Sequence, residues 1–223
     1  MDKVIAQYKA IPDDDLMLCF DDGVAYQTHM PIKTARENYF DYCNKKYKNK
    51  EFNEKVNAAR MAFIHKHYGP WGLLDIGIGN GSFIKKYNSF NPMRSINKAF
   101  GWDIDKNARK WLSNNGLLAT DLSMYNCYTM WDVLEHLHSP SEYFKYMNNG
   151  DECFLSIPII ENLCDIRNSK HYRPDEHLYY FTEPGLIQYM ERHGLYLIAH
   201  DDFEIKIGRA DIYSYCFEKN END

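Results

Sequence analysis

Beyond residue 70, short apolar runs alternate with segments whose apolar residues recur three and four apart. The runs at 71–76, 99–102, 117–120, 125–131, 153–157, 195–199 and 211–217 predict strands. The segments at 80–87, 106–114, 139–147 and 183–193 predict helices. This alternation predicts an α/β fold with a mostly parallel sheet and helices on both faces. No helix is predicted between the last two strands, so an antiparallel strand is expected at one edge. The first 69 residues have a different pattern. Apolar runs at 16–20 and 24–28 flank Asp21-Asp22-Gly23, which predicts a short hairpin. Residues 33–47 and 51–68 predict two helices. In the second, Val56, Ala59, Ala62 and Phe63 fall at helical spacing, and Gly69-Pro70 ends it. The expected organisation is a small N-terminal hairpin and helical cap over residues 1–69, then an α/β domain over 70–223.

Composition narrows the function class. A hydrophobic fraction of 44% over 223 residues is enough for one substantial core. The eighteen tyrosines suit half-exposed packing and pocket lining, because each has an apolar face and a polar tip. The net charge of −6 leaves no clustered basic surface for a phosphate backbone. The Lys-rich stretch at 45–50 is followed at once by Glu51 and Glu54 and reads as a solvated helix end, so nucleic acid is not a favoured partner. Six cysteines at 19, 43, 127, 153, 164 and 216 include no Cys-x-x-Cys pair. Cys127, Cys153 and Cys216 lie in apolar runs, which indicates a reducing compartment rather than a disulfide or zinc framework. The N-terminal residues contain no apolar signal segment, and no run approaches eighteen apolar residues. A soluble, cytoplasmic chain with no membrane partner is expected. Nothing in the sequence indicates its oligomeric state.

The most informative stretch is Leu73-Leu74-Asp75-Ile76-Gly77-Ile78-Gly79-Asn80-Gly81. An acidic residue ends a strand, and three alternating glycines lead into a helix. Glycine serves where backbone must approach a ligand closely or take positive φ. A dinucleotide fingerprint would need a third glycine or alanine five residues after its first glycine. Counting from Gly77 that position is Ser82, and from Gly79 it is Ile84, so the spacing does not match.

The order Asp-x-Gly-x-Gly-x-Gly resembles the first motif of class I S-adenosylmethionine-dependent methyltransferases, which have a Rossmann-like sheet. The resemblance implies that Gly77, Gly79 and Gly81 lie under the cofactor and that Asp75 anchors the turn near its amino group. It also implies that Asp103, in Gly101-Trp102-Asp103, bonds the ribose hydroxyls, with Ile104 beside it against the cofactor. Asp105 competes for the ribose role. Asp121, in Thr120-Asp121-Leu122, corresponds to the acidic position near the adenine edge, or is simply a cap. The segment Tyr128 to Leu137 contains Asp132-Val133-Leu134-Glu135-His136 and resembles the DVLEH signature of a subgroup that includes ubiquinone-biosynthesis O-methyltransferases. Ser139-Pro140, Cys153-Phe154-Leu155-Ser156-Ile157-Pro158 and the Glu176-His177 to Phe181-Thr182 segment follow in the same order as in that subgroup. The resemblance covers residues 70 to 218, and residues 1–69 match only as a variable cap.

The implied function is methyl transfer from S-adenosylmethionine to a small-molecule or glycan acceptor, at oxygen or nitrogen. Such transfer is an in-line displacement, in which alignment and water exclusion do most of the work. An oxygen or nitrogen acceptor can also need a base, and His177, His136 and Glu135 are the candidates. Asp132, Glu135 and His136 would share one face of a helical turn and could hold a divalent ion, although a capped helix start explains them without one, and no metal is expected. Trp131 ends its strand on the ligand side and packs either on the cofactor or in the core. Tyr39, Tyr42, His136, Arg173, His177 and Tyr180 are expected to line the acceptor pocket. Two alternatives stay open. One is a methyltransferase acting on nucleic acid or protein, which lacks support from the charge and from any Asn/Asp-Pro-Pro-Tyr/Phe motif. The other is a non-catalytic member that keeps the cofactor fold.

Overall fold

The computed structural model describes residues 8–10, 16–19, 23–27, 39–46, 49–67, 72–90 and 98–220. Its main sheet has six strands: β4 (Leu73–Ile76), β5 (Ala99–Trp102), β6 (Cys127–Trp131), β7 (Glu152–Pro158), β9 (Leu195–Asp201) and β10 (Ile212–Lys219), in the order β5-β4-β6-β7-β10-β9. The first four pair in parallel, and β10 runs antiparallel to both β7 and β9. The expected mostly parallel α/β sheet is present. Its antiparallel strand sits one place in from the edge, inserted between β7 and β9.

Side chains alternate across each strand, so the sheet has two apolar faces. Leu73, Ala99, Cys127, Phe154 and Cys216 pack beneath α2 (Lys50–His67), α3 (Ser82–Phe90) and α4 (Lys106–Asn114). Leu74, Tyr128, Met130, Cys153, Leu155, Tyr215 and Phe217 face the other way, toward α5 (Ser141–Phe144) and α6 (Glu183–Glu191). Cys127, Cys153 and Cys216 therefore sit in the core as small apolar residues, Cys164 is exposed, and none of the four forms a disulfide. Helix α6 starts where expected because Thr182 accepts from the Gly185 N–H and a proline occupies the first turn.

A second, antiparallel sheet has the order β1 (Tyr8–Ala10), β2 (Leu16–Cys19), β3 (Val24–Gln27) and β8 (Tyr179–Phe181). β2 and β3 are the expected hairpin, although Asp21 and Asp22 of its turn lie outside the described residues. Thr182 N–H donates to the Gly23 carbonyl, and an Ile159–Phe181 bridge ties β8 toward the main sheet. No described helix is long and apolar enough to cross a membrane.

Several boundaries differ from expectation. The run at 117–120 makes only an isolated bridge, Gly101 to Leu118, because two backbone hydrogen bonds to Gly101 satisfy it. The helix expected over 139–147 contracts to α5. A short helix, α7 (Phe203–Lys206), stands between β9 and β10 where none was expected. Helix α1 (Tyr39–Lys46) covers the described part of the first cap helix, whose expected beginning at 33–38 lies outside the described residues, as do Gly69-Pro70 and residues 91–97. In α2 the buried face is Val56, Asn57, Arg60, Met61, Phe63 and Ile64, which leaves Ala62 exposed.

Candidate functional site

Parallel pairing sets the register at the carboxyl ends of β4 and β5. Ile76 stands opposite Trp102, and the Gly77 N–H donates to the Trp102 carbonyl at 2.9 Å. The glycine turn therefore opens beside Asp103. Gly77, Gly79 and Gly81 all take positive φ, at 73°, 55° and 72°. Their surroundings differ. A Cβ on Gly77 would fall 2.6 Å from the Val133 side chain, and one on Gly81 would fall 2.7 Å from the Trp111 ring. A Cβ on Gly79 would meet nothing within 4 Å. Two of the glycines thus serve packing, and Gly79 faces open space.

Two buried carboxylates stand at the ends of the paired strands beside this turn. Asp75 accepts from Thr129 Oγ1 at 2.6 Å. Burial pushes its pKa up to about 7, against the opposing pull of that hydrogen bond and of Arg60. Asp103 accepts from the Asp105 N–H at 2.8 Å, and burial raises its pKa to about 6. Arg109 Nη1 pins the carbonyls of Asp103 and Ile104, each at 2.7 Å, and leaves the Ile104 side chain 77% exposed. Asp105 is committed elsewhere. It caps α4 through the Asn107 and Ala108 N–H groups and accepts from the Phe40 N–H at 3.1 Å. Of the two aspartates, Asp103 is therefore the one beside the turn that is not tied up in a helix cap.

Asp121 also caps, accepting from the N–H and Oγ of Ser123, and these bonds lower its pKa. With Trp102, Thr120, Leu122, Glu142, Tyr143 and Tyr146 it lines a cavity of about 500 Å³. Trp131 is built into the core, edge-on to Phe83 at 5.5 Å and with the Arg60 guanidinium 4.8 Å above its ring. Its indole N–H is buried without a partner among the described residues.

After Trp131 the chain turns sharply, and Asp132 takes φ 57°, a left-handed conformation unusual for a residue other than glycine. Asp132 is held by Arg60 at 3.0 Å and Arg209 at 2.8 Å. Both arginines also bind Glu204, which is fully buried; Arg60 Nε reaches it at 2.7 Å. Burial alone would raise the Asp132 pKa, but Arg209 and Arg60 outweigh it and hold the carboxyl well below its ordinary value. Asp132 thus belongs to a four-charge cluster with Arg60, Arg209 and Glu204. The sequence signal was a charged residue, Arg60, on the buried face of α2. Asn57, on the same face, donates to Ser82 Oγ at 3.2 Å and ties α2 to the end of the glycine turn.

The next turn brings the expected acceptor-side residues together. Glu135 is buried, and burial and the Asp132 charge drive its pKa well upward. Its Oε2 has no partner among the described residues. His136 Nδ1 lies 2.8 Å from the Glu176 carbonyl. A carbonyl only accepts, so Nδ1 carries the hydrogen and Nε2 keeps its lone pair. The His136 and His177 rings meet edge to face at 4.7 Å, and Tyr180 lies 5.8 Å from His177. Burial, then the proximity of His136 and Arg173, pushes the His177 pKa down to about 3; burial also lowers that of His136. Both imidazoles are neutral near pH 7. One ligand atom from each of Glu135, His136 and His177 lies within 4.8 Å of the others, so this trio is the described set that could hold a metal ion. Tyr39 and Tyr42 pair with each other on α1, at 5.9 Å.

Solved structures similar to this fold include several methyltransferases. The solved structure of 1,6-didemethyltoxoflavin-N1-methyltransferase from Burkholderia thailandensis, with 1,6-didemethyltoxoflavin and S-adenosylhomocysteine bound, is similar at a TM-score of 0.58 and 14% identity, over 97% of this chain and 100% of that one. The N-methyltransferase NodS from Bradyrhizobium japonicum WM9 is similar at 0.52 and 12% identity, over 78% and 99%. The glycopeptide N-methyltransferase MtfA, complexed with S-adenosylhomocysteine, is similar at 0.51 and 9% identity, over 74% and 87%. At such low identity these likenesses establish a Rossmann-like class I methyltransferase fold. No curated protein sequence matches the chain. The family profile described as a methyltransferase domain does match, over residues 48–200, more than half of the chain and all of the glycine turn, and the protein belongs to the methyltransferase-domain family.

Proposed function

We propose that the chain binds S-adenosylmethionine across the carboxyl ends of β4 and β5 and methylates a small-molecule or glycan acceptor at oxygen or nitrogen. The observation that carries this reading is a glycine turn, open at Gly79, that leaves β4 just after the buried Asp75 and is tied to β5 just before the buried Asp103. Asp75 suits an ammonium group, and Asp103 suits a vicinal diol, since a carboxylate accepts two hydroxyl hydrogen bonds. The exposed Ile104 and the aromatic cavity beside Asp121 offer apolar surface to a flat heterocycle. When bound, the sulfonium cofactor supplies an activated methyl carbon.

On the acceptor side, His136 Nε2 and the neutral His177 accept hydrogen bonds, and Glu135, its pKa driven upward by burial, stands beside them. A His177 pKa of about 3 makes it a weak base, which favours acceptors that bring an acidic proton of their own, such as a phenol. Bound small molecules or glycopeptide chemistry in the structural neighbours support a compact acceptor. The same proposal includes a cap over residues 1–69 and a cofactor domain over 70–223. It also includes a cytoplasmic site of action, no resident metal, and kinship with the DVLEH subgroup of O-methyltransferases.

The test is thermal. S-adenosylmethionine and S-adenosylhomocysteine should compete with each other, and each should stabilise the protein by about 3 kcal/mol at roughly a hundred times its Kd. No shift with either, together with a shift with NAD, would overturn the reading.

A further inference from the structure

One carboxylate serves two helices at the edge of the candidate cofactor site. Asp105 Oδ1 caps α4, accepting from the Asn107 and Ala108 N–H groups at 2.6 and 3.2 Å. Its Oδ2 accepts from the Phe40 N–H, in the first turn of α1, at 3.1 Å. The Asp105 N–H in turn donates to Asp103 Oδ1. The first turn of α1 is thus connected, through one side chain and one backbone amide, to the carboxylate proposed to hold the ribose.

A second link runs through Trp111. Its ring lies 6.0 Å from the Phe40 ring and against Gly81, at the end of the glycine turn. Helix α1 therefore leans on both ends of the cleft, on Asp103 by way of Asp105 and on Gly81 by way of Trp111. Its own hold is slight. It has eight residues, and among the side chains described only Phe40 and Cys43 are buried. An isolated helix of that length is unstable in water, so α1 keeps its helical form only while docked.

We propose that Asp105 is a positioning residue that docks α1 over the rim of the cofactor site, so that cofactor binding and α1 docking stabilise each other. The coupling rests on the cofactor reading above. A ligand that fixes Asp103 fixes the amide donated by Asp105 and hence the acceptor for Phe40. By reciprocity, a docked α1 slows departure of the ligand. Product release then requires α1 to lift.

Asp105→Asn separates this role from ordinary capping. Asparagine caps a helix as well as aspartate does, but its amide nitrogen cannot accept from the Phe40 N–H. Asp105→Ser, which retains a capping oxygen and has no second acceptor, is the independent variant. Hydrogen exchange over residues 39–46, with and without S-adenosylhomocysteine, reads docking, and tryptophan fluorescence in a stopped-flow instrument reads ligand release. In the wild type the ligand should slow exchange over 39–46. In both variants that protection should be lost and release should quicken by about tenfold, the effect of one charge-assisted hydrogen bond. The melting temperature of the unliganded protein should stay near the wild-type value, which a merely structural Asp105 would not allow. Wild-type protection and release rate in either variant would overturn the coupling, as would a ligand that binds without slowing exchange over 39–46. If the wild type bound no S-adenosylhomocysteine, the cofactor reading itself would fall, and the coupling with it.

Discussion

Asp75 should be a residue whose removal strengthens the empty fold while weakening the site. It is 2% exposed, and burial raises its pKa from near 3.8 to about 7. For a group raised in this way the sign is fixed. Its contribution to stability is fully present below the unfolded pKa near 4, declines as pH rises, and is lost once pH passes the folded pKa near 7. At roughly 1.4 kcal/mol per pH unit the full loss is about 4 kcal/mol, an upper figure. Asp75→Asn preserves the shape and the acceptor for Thr129 but has no charge to bury. The variant should exceed the wild type by at most about 1 kcal/mol near pH 4.5 and by about 2–4 kcal/mol at pH 8. For a chain of this size that corresponds to a rise in Tm of roughly 5–15 °C. Urea denaturation at pH 4.5, 6 and 8 measures the difference, and calorimetric titration with S-adenosylhomocysteine should show weakened binding in the same variant. A variant less stable than the wild type at pH 8, or a gap that does not change with pH, would refute the account of Asp75.

Other perturbations separate the remaining parts of the site. Gly79→Ala should cost about 1–2 kcal/mol of stability through its positive φ, yet reduce cofactor affinity by more than that, because the added carbon enters open space; unchanged affinity by calorimetry would place the ligand elsewhere. Glu204→Gln leaves Arg60 and Arg209 sharing one half-buried carboxylate, Asp132, and should cost about 3–5 kcal/mol in urea denaturation. A loss below about 1 kcal/mol would show that the cluster is wetter than its burial implies. His177→Asn should abolish transfer to an acceptor and leave S-adenosylhomocysteine binding intact by calorimetry. With His177 as a hydrogen-bond acceptor, Zn²⁺ and Mg²⁺ should leave the Tm unchanged, and a metal-dependent rise lost in His177→Asn would reassign the Glu135–His136–His177 trio to an ion.

What the sequence made legible was local. β5 and α4 have the expected limits because an apolar run ends at Trp102 and Asp105 caps the helix that follows. The turn from Asp75 to Gly81 was legible for the same reason: three alternating glycines have few other uses. The division of labour among those glycines was not. It depends on Val133 and Trp111, which approach only when distant segments pack. The commitment of Asp105 to two helices was hidden as well, because it involves Phe40, 65 residues away in sequence. Asp132 looked like a possible metal ligand until Arg60, Glu204 and Arg209 arrived from either end of the chain. β8 was missed because three residues of Tyr-Tyr-Phe carry no period, and only pairing with Val24–Tyr26 makes them a strand.

The placement of β10 bears on how this chain is made. β7 is buried along nearly its whole length, yet its partner on one side, from Ile212 to Glu218, is the last strand in chain order. During synthesis, β7 must wait for some fifty residues to emerge before that edge is covered, and β9 appears first with nothing to pair against. Arg209, which closes the charge cluster around Asp132, lies in the same late stretch. A nascent chain stopped before residue 212 would have the glycine turn and both candidate carboxylates but two open strand edges, a state prone to associate with other chains. Completion of the sheet, and with it escape from aggregation, therefore waits for residues 212–218, and a chain stopped before residue 212 should be insoluble rather than a weakened enzyme.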